Sequence, residues 1–555
     1  MLRRTLVSAC AGAVLCLTAG TAGAAANFNG DVNTAINKGL ELLDAQGAFG
    51  GYDPASNECK PDAYTYGYGD YMRGMPLLAL LEKRASGNLN DAPQGYAGAS
   101  ADDQARMRRA VACILDIVNE TSFESYYYGN WLMGLSLYAR TGGPGKGAAD
   151  IPDDPDLIGL VEGIDLMVDR TIAAQEGGCT GATYYGMWGY SSCGNDSSTT
   201  QFAAAGLAGA KGYYLAKADP GGRAAKITTA LGKARQAYVL NGSTAGSDNA
   251  SCDRIEDTEK GMGYRTSGYN PSLQQTASGL WVQLLGGATV NDNSAQSYVR
   301  WLRNHYRWQN LDSMGNSWPS YSHWYYMWSA MKGLLTISEG GVTPLPGNLG
   351  ADAYGKLGPD VDPNPADSLA GTCSVRQLNK VPSSVARNAV YGADPGSFYA
   401  AESPSTYFDF ATTIMSHQCA NGDFACNGAP GSWESSWDRV SWALLVLQRA
   451  TGGACADLNA NGICDDEEGG DDEEAPGDML CDANLDGQVS YSDLRDLYGI
   501  IASTYPVAVP VTPQNSWANY NSTGQSADTI DINDFWQCYY VSRGKLPILY
   551  EGGGT

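Results

Sequence analysis

The chain has 555 residues, a formal net charge of −25, 14 cysteines and three histidines. An acidic chain with so little Lys argues against nucleic acid or anionic membrane as a partner. Its length allows one large domain with a sizeable core, plus appendages.

Residues 1–26 pair Arg3 and Arg4 with an apolar stretch and small residues at Ala22 to Ala26, the pattern of a secretory signal peptide. No later segment has the roughly 18 apolar residues of a transmembrane helix. The expectation is a secreted protein without a membrane span, extracellular, at the cell surface or in a periplasm. Losing the two arginines takes the charge from −25 to −27, and losing Cys10 and Cys16 takes 14 cysteines to twelve. An even count in an exported chain favours disulfides over metal thiolates. Close spacing suggests Cys179–Cys193, Cys419–Cys426 and Cys455–Cys464. Cys481–Cys538 would bracket the C-terminal module, leaving Cys59, Cys113, Cys252 and Cys373 unassigned.

From 27 to 453 two kinds of helical stretch alternate. The first kind lies at 31–47, 101–121, 156–175, 224–242, 293–312 and 407–418, with apolar positions three and four apart, so that each buries one stripe. The second kind follows Gly- and aromatic-rich loops at 64–83, 126–140, 187–211, 262–285, 316–337 and 431–450. Its helices, such as AAAGLAGA and TASGLWVQLLGG, are rich in Gly and Ala and nearly apolar all round, as expected of helices packed on both sides. A pair repeated six times suggests a ring with inner and outer helices, hence a mainly α fold, an (α/α)6 toroid of six helix pairs. The Gly-, Pro- and Asp-rich stretch 341–397 is expected to be an inserted loop.

The pattern QEGGCTGATYYGMWGY…DSSTTQFAAAGL (175–207) resembles the repeats of terpene cyclases and protein prenyltransferases of the squalene-cyclase-type toroid. DAQGAFGGY (44–52) echoes its first half, and GMGY…SLQQTASGL (261–280) echoes its second, with Gln274 in the slot of Gln201. The resemblance covers about 28–452 and implies a closed toroid. It does not carry an activity, because the Asp-rich acid motif, the Asp/Cys/His zinc set and the Cys-Gly-Glu-Gln thioester of such toroids have no counterpart here.

If the loops before the inner helices share one mouth, they deliver Asp70, Glu124, Tyr126, Tyr127, Tyr185, Trp188, Tyr264, Arg265, Tyr321, His323, Trp433, Glu434 and Asp438. Aromatics with a few carboxylates suit a glycan, since sugar faces stack on rings while acids accept hydroxyls. Glu434 and Asp438, four apart on a helix start, would share a face as an acid–base or nucleophile pair, with Asp70 and His323 as further catalytic candidates. Each has an ordinary alternative: carboxylates at helix starts serve caps and dipoles, and a His among Trp and Tyr packs structurally.

DLNANGICDDEE (457–468) fits the twelve-residue calcium loop of EF-hands, with Asp457, Asn459, Asn461, Ile463 through its carbonyl, Asp465 and Glu468 as ligands. Residues 457–486 hold twelve acidic side chains and no basic one, so the stretch 454–478 reads as calcium loop and solvated linker. DANLDGQVSYSD (482–493) is a second match, with Asp482, Asn484, Asp486, Gln488, Ser490 and Asp493. It resembles a dockerin repeat, with 519–534 as a degenerate partner, which implies a small calcium-binding α domain at 479–546 before a tail at 547–555, and a cohesin-like protein partner. Three functions stay open: engagement of an extracellular glycan by a binding module, hydrolase or lyase; an adaptor docking through 479–546; or a terpene-cyclase-like protein for an apolar ligand.

Overall fold

The computed structural model describes residues 27–50, 52–53, 58–59, 70–89, 91–244, 260–266, 269–289, 292–305, 323–339, 398–399, 402, 406–429, 435–450, 509–510 and 529–530. These form two compact units, 1–467 and 468–555. In the second unit the described part is an antiparallel ladder pairing Val509 with Ile530 and Pro510 with Thr529. The calcium-ligand candidates at 457–493 lie outside the described residues.

The first unit is mainly helical. Its described α-helices are α1 (Phe28–Ala45), α2 (Gly74–Leu81), α3 (Ala101–Val118), α4 (Ser125–Arg140), α5 (Leu160–Glu176), α6 (Ser197–Ala216), α7 (Arg223–Asn241), α8 (Leu273–Leu285), α9 (Asn293–His305), α10 (His323–Glu339), α11 (Thr406–Ser416) and α12 (Ser436–Leu447). A short 3-10 turn, Asp70–Met72, leads into α2. No described helix is long and apolar enough to cross a membrane.

Even-numbered helices pack in sequence, α2 on α4, α4 on α6, α6 on α8, α8 on α10, α10 on α12, and α12 back on α2, so the six contact one another in a cycle. They run the same way, because matched positions meet. Gly74 sits against Asn130, Gly129 against Phe202, and Ser197 against Gln275, while at the far end Gln448 Nε2 donates to the Ala79 carbonyl at 3.0 Å. Odd-numbered helices lie against them; in the first pair the C-terminal Gln46 of α1 reaches Ser436 at the start of α12.

Composition explains the difference between the sets. From 197 to 214, α6 is buried at every residue except Lys211, so it carries no polar stripe. Its closeness to α4 depends on glycine: a Cβ at Gly129 would collide with the Phe202 carbonyl, and one at Gly206 would lie 2.7 Å from the Gly129 carbonyl oxygen. By contrast α3 exposes Ala101 and Asp102 and buries Met107, Ala110, Val111, Ile114, Leu115 and Val118. Each of these burials removes apolar surface worth roughly 1.5–3 kcal/mol for the larger side chains.

The middle of the cycle is filled. Phe202 of α6 meets Trp328 of α10 at 5.4 Å between ring centroids, and Trp328 stacks on Trp442 of α12 at 6.2 Å and meets Trp281 of α8 edge-on at 5.4 Å. None of the four is more than 1% exposed, which leaves no water-sized gap against them at this level. Of the expected disulfides, Cys179–Cys193 and Cys419–Cys426 are formed.

Candidate functional site

Parallel inner helices bring their N-terminal ends to one end of the bundle, and capping residues gather there. Glu124 caps α4, accepting from the Tyr127 N–H at 2.9 Å. Asp196 caps α6, its Oδ1 accepting from the N–H groups of Ser198 (2.9 Å) and Thr199 (3.2 Å). Ser272 caps α8 and Ser435 caps α12. These caps satisfy amides that have no partner within the helix.

Each loop is also stitched to the start of the preceding inner helix. The Ser125 N–H donates to the Tyr190 carbonyl at 2.8 Å and its hydroxyl to the Gly189 carbonyl at 2.6 Å. One repeat later, the Ser197 N–H donates to the Tyr264 carbonyl at 3.0 Å and its hydroxyl to Gln275 Oε1 at 2.6 Å. The same serine position, at the first turn of α4 and of α6, therefore fixes the loops that carry Tyr190 and Tyr264.

The result is a run of tyrosines along this end. Tyr71 stacks on Tyr127 at 4.3 Å, Tyr126 lies 5.8 Å from Tyr190, the Tyr190 and Tyr264 hydroxyls are 3.2 Å apart, and Tyr264 meets Tyr269 edge-on at 5.5 Å. Tyr71, Tyr190 and Tyr269 are 41%, 46% and 38% exposed, so the rings face solvent rather than only packing between repeats. Arg265, exposed, lies over the Tyr264 ring at 5.5 Å.

Beneath the rings is a chain of polar groups. The Tyr126 hydroxyl donates to Ser198 Oγ at 2.8 Å, which donates to Asp196 Oδ1 at 2.6 Å. Asp196 is 3% exposed, its Oδ2 is enclosed, and the Tyr264 phenol lies against the carboxylate. One turn deeper, the Gln201 side chain meets the hydroxyls of Ser278, Tyr325 (2.7 Å) and Ser329 (3.0 Å). All three hydroxyls meet Gln201 Oε1, which accepts from them, and the Ser278 hydroxyl also lies 2.7 Å from the Gln274 carbonyl. The other end of this buried amide, Nε2, stays unpartnered.

Burial sets the electrostatics. It pushes the Glu124 carboxyl up to about 7, against the lowering effect of the Tyr127 and Tyr126 amides. Burial, then the charge of Asp196, raises Tyr126 well above its ordinary value, so its phenol keeps its proton.

Of the sequence candidates, Tyr126, Tyr127, Tyr264 and Arg265 come together here. Tyr185 points elsewhere, its ring under Lys233 of the outer helix α7 at 5.6 Å. Trp188 is fully buried and donates its indole N–H to the Thr171 carbonyl at 2.8 Å, a structural placement. His323 is also fully buried, edge-on to Trp324 at 5.1 Å, with neither ring nitrogen hydrogen-bonded. Burial and nearby His417 lower it to about 3, so it is a packed neutral imidazole and not a base lining the mouth. Asp438 is a buried member of the Ser435 capping box, as the ordinary alternative for a helix-start carboxylate has it. The Asp70 side chain, Tyr321, Trp433 and Glu434 lie outside the described residues. Among the described residues no group of three or more His, Cys, Asp or Glu is placed to hold a metal.

Sequence reasoning passed over Asp196, Ser198 and Tyr190. The available signal was the repeat itself, since DSSTTQ places an acid and two hydroxyls at the cap position that Glu124 fills one repeat earlier.

Burial holds Asp438 at about 6 rather than 3.8, with its Ser435 contacts pulling the other way. A carboxyl raised in the folded state favours the acid form, so its contribution to stability is lost as pH rises from 3.8 through 6. Asp438→Asn keeps a capping acceptor without the charge, and is expected to stabilise the protein at pH 8 by up to ~3 kcal/mol and not at pH 3.5. Denaturant melts at the two pH values check it.

Comparison of the chain with protein-family models, curated proteins and solved structures gave no significant match.

Proposed function

We propose that the chain is an exported (α/α)6 toroid whose tyrosine-lined mouth engages an extracellular glycan, as a binding module or as a hydrolase or lyase. The carrying observation is the run of six tyrosines from Tyr71 to Tyr269, half of them well exposed, over a buried carboxylate. Rings present flat apolar faces to sugar rings while hydroxyls and acids orient them, the mix of a few polar groups in an aromatic lining that small-molecule sites use. Because Phe202, Trp328 and Trp442 fill the middle, the ligand would lie across the rim and not thread a tunnel. An apolar terpene-like ligand fits poorly beside Asp196 and Glu124.

Affinity electrophoresis in gels containing a panel of polysaccharides tests this. Retardation by at least one, reduced about ten-fold in affinity by Tyr190→Ala with Tyr264→Ala, is expected, since base- or sugar-type stacking on a ring is worth on the order of 1 kcal/mol. Retardation by none would rule the proposal out.

The filled middle also suits an adaptor, the second reading, in which 479–546 docks a cohesin-like partner. Calcium held at 457–468 and 482–493 would underlie it. The metal would tie together loops with too little apolar surface to order themselves. Chelation with EDTA is expected to lower a C-terminal melting transition and leave that of the helical unit in place; a scan unchanged by EDTA would count against calcium.

The disulfide Cys179–Cys193 closes a loop that contains Tyr190 and stops three residues before Asp196. Cross-linking a loop of about 15 residues contributes ~3 kcal/mol by constraining the unfolded chain. Cys179→Ser with Cys193→Ser is therefore expected to weaken glycan binding and to make this loop the first site of limited proteolysis, read by mass spectrometry.

A further inference from the structure

Asp196 is a buried carboxylate without a cation. Oδ1 takes three hydrogen bonds, from two backbone amides and the Ser198 hydroxyl, while Oδ2 is enclosed and, among the described residues, the only side chain against the carboxylate besides Ser198 is the Tyr264 phenol. No Lys, Arg or His makes an ion pair with it among the described residues. The nearest cation on its neighbouring strand of chain, Arg265, shares a backbone bridge with Asp196, yet its guanidinium is exposed and spread over the Tyr264 ring. Buried charges are ordinarily paired, because leaving one unpaired costs several kcal/mol.

What surrounds this carboxylate is phenolic. The Tyr264 phenol lies against it, Tyr126 reaches it through Ser198 Oγ, and Tyr190 joins them through the Tyr264 hydroxyl. Rings around a carboxylate make a favourable setting for an organic cation: the π faces attract it, and the acid supplies the counter-charge and an acceptor. A metal ion would ask for more oxygen or nitrogen ligands than this cluster brings together, whereas an ammonium group needs one charged acceptor and aromatic walls.

We propose that Asp196 and the phenols around it seat an ammonium group, so that the mouth takes an amine-bearing sugar, a glucosaminyl unit, in preference to its N-acetylated or neutral counterpart. The proposal rests on the glycan reading of the same mouth.

The test uses three β-1,4-linked tetrasaccharides that differ only at C2, made of glucosamine, N-acetylglucosamine or glucose, titrated calorimetrically at pH 6 into the full mature chain. The glucosamine tetramer is expected to bind about ten-fold tighter than either other, with an affinity that falls as salt rises, and Asp196→Asn is expected to bring the ratio close to one. Asn caps helices as well as Asp does, so this variant should fold; if its melting temperature drops sharply, the wild-type ratio decides alone. Equal or weaker binding of the glucosamine tetramer, with another glycan bound, overturns the ammonium seat and leaves the glycan reading standing. If no polysaccharide binds at all, both fall.

Discussion

Gly129→Val should destabilise the helical unit by at least ~3 kcal/mol, because the new side chain has nowhere to go. A Cβ at this position collides with the Phe202 carbonyl, which is helix backbone and cannot rotate away. The α4–α6 contact would have to open, and with it the reciprocal contact of Gly206 on the Gly129 carbonyl. Since α2, α4, α6, α8, α10 and α12 contact one another in a cycle, prying one seam displaces its neighbours. The damage should also reach Tyr126 and Ser198, which join these two helices at the mouth. A suitable control is Gly232→Ala on the outer helix α7. Nothing lies within 4 Å of its added methyl, and the exchange is expected to stabilise by up to ~1 kcal/mol. Chemical denaturation of both variants checks the pair; equal stabilities would mean that α4 and α6 do not depend on close approach.

The second large effect concerns acid. His323 is lowered from 6.5 to about 3 by burial and by His417, so the folded state holds a neutral imidazole that the unfolded chain would protonate. Its contribution is intact above 6.5 and is lost as pH falls towards 3, at ~1.36 kcal/mol per pH unit, or about 5 kcal/mol in all as an upper figure. The buried acids Glu124 and Asp438 act oppositely. Their raised values give stability back as pH falls from about 7 and about 6 towards 4.5 and 3.8. From these three groups stability should therefore rise slightly between pH 7 and 5, then fall below pH 4 by ~1.36 kcal/mol per pH unit as only His323 still titrates. His323→Leu removes one of the opposing groups. The variant should equal or exceed the wild type at pH 7 and outlast it by several kcal/mol at pH 3.5, measured by urea melts. A constant difference between the two proteins across that range would contradict the buried neutral imidazole.

Much of this architecture was legible in the residues. Amphipathic stretches such as 101–121 became helices buried along one side, because a single apolar stripe can be buried on one side only, and α3 covers 101–118. Stretches such as 187–211, apolar all round and Gly-rich, led into inner helices because Gly and Ala alone permit backbones to approach as α4 and α6 do. Caps were less legible as chemistry. A sequence shows which residues open a helix, but not which of them turns inward. His323 opens α10 and Trp188 stands in the loop before α6, much as Tyr126 stands at the start of α4, yet both are fully buried. Asp196 was hidden for the opposite reason: in DSSTTQ it looks like one more N-cap. Only the tertiary contacts reveal that its second oxygen is enclosed, with the Tyr264 phenol against the carboxylate and no cation paired with it among the described residues.

The most direct measurement of the mouth's role is chemical footprinting of tyrosines on the unmutated protein. Nitration, read residue by residue by mass spectrometry, would be compared with and without a saturating oligosaccharide of the polysaccharide that retards the chain. Exposed Tyr71, Tyr190 and Tyr269 should react freely alone and be protected by the sugar, while Tyr185, beneath Lys233 on the outer layer, should react equally in both. Unchanged nitration of the first three under saturating sugar, or protection confined to Tyr185, would place the ligand elsewhere and contradict the account.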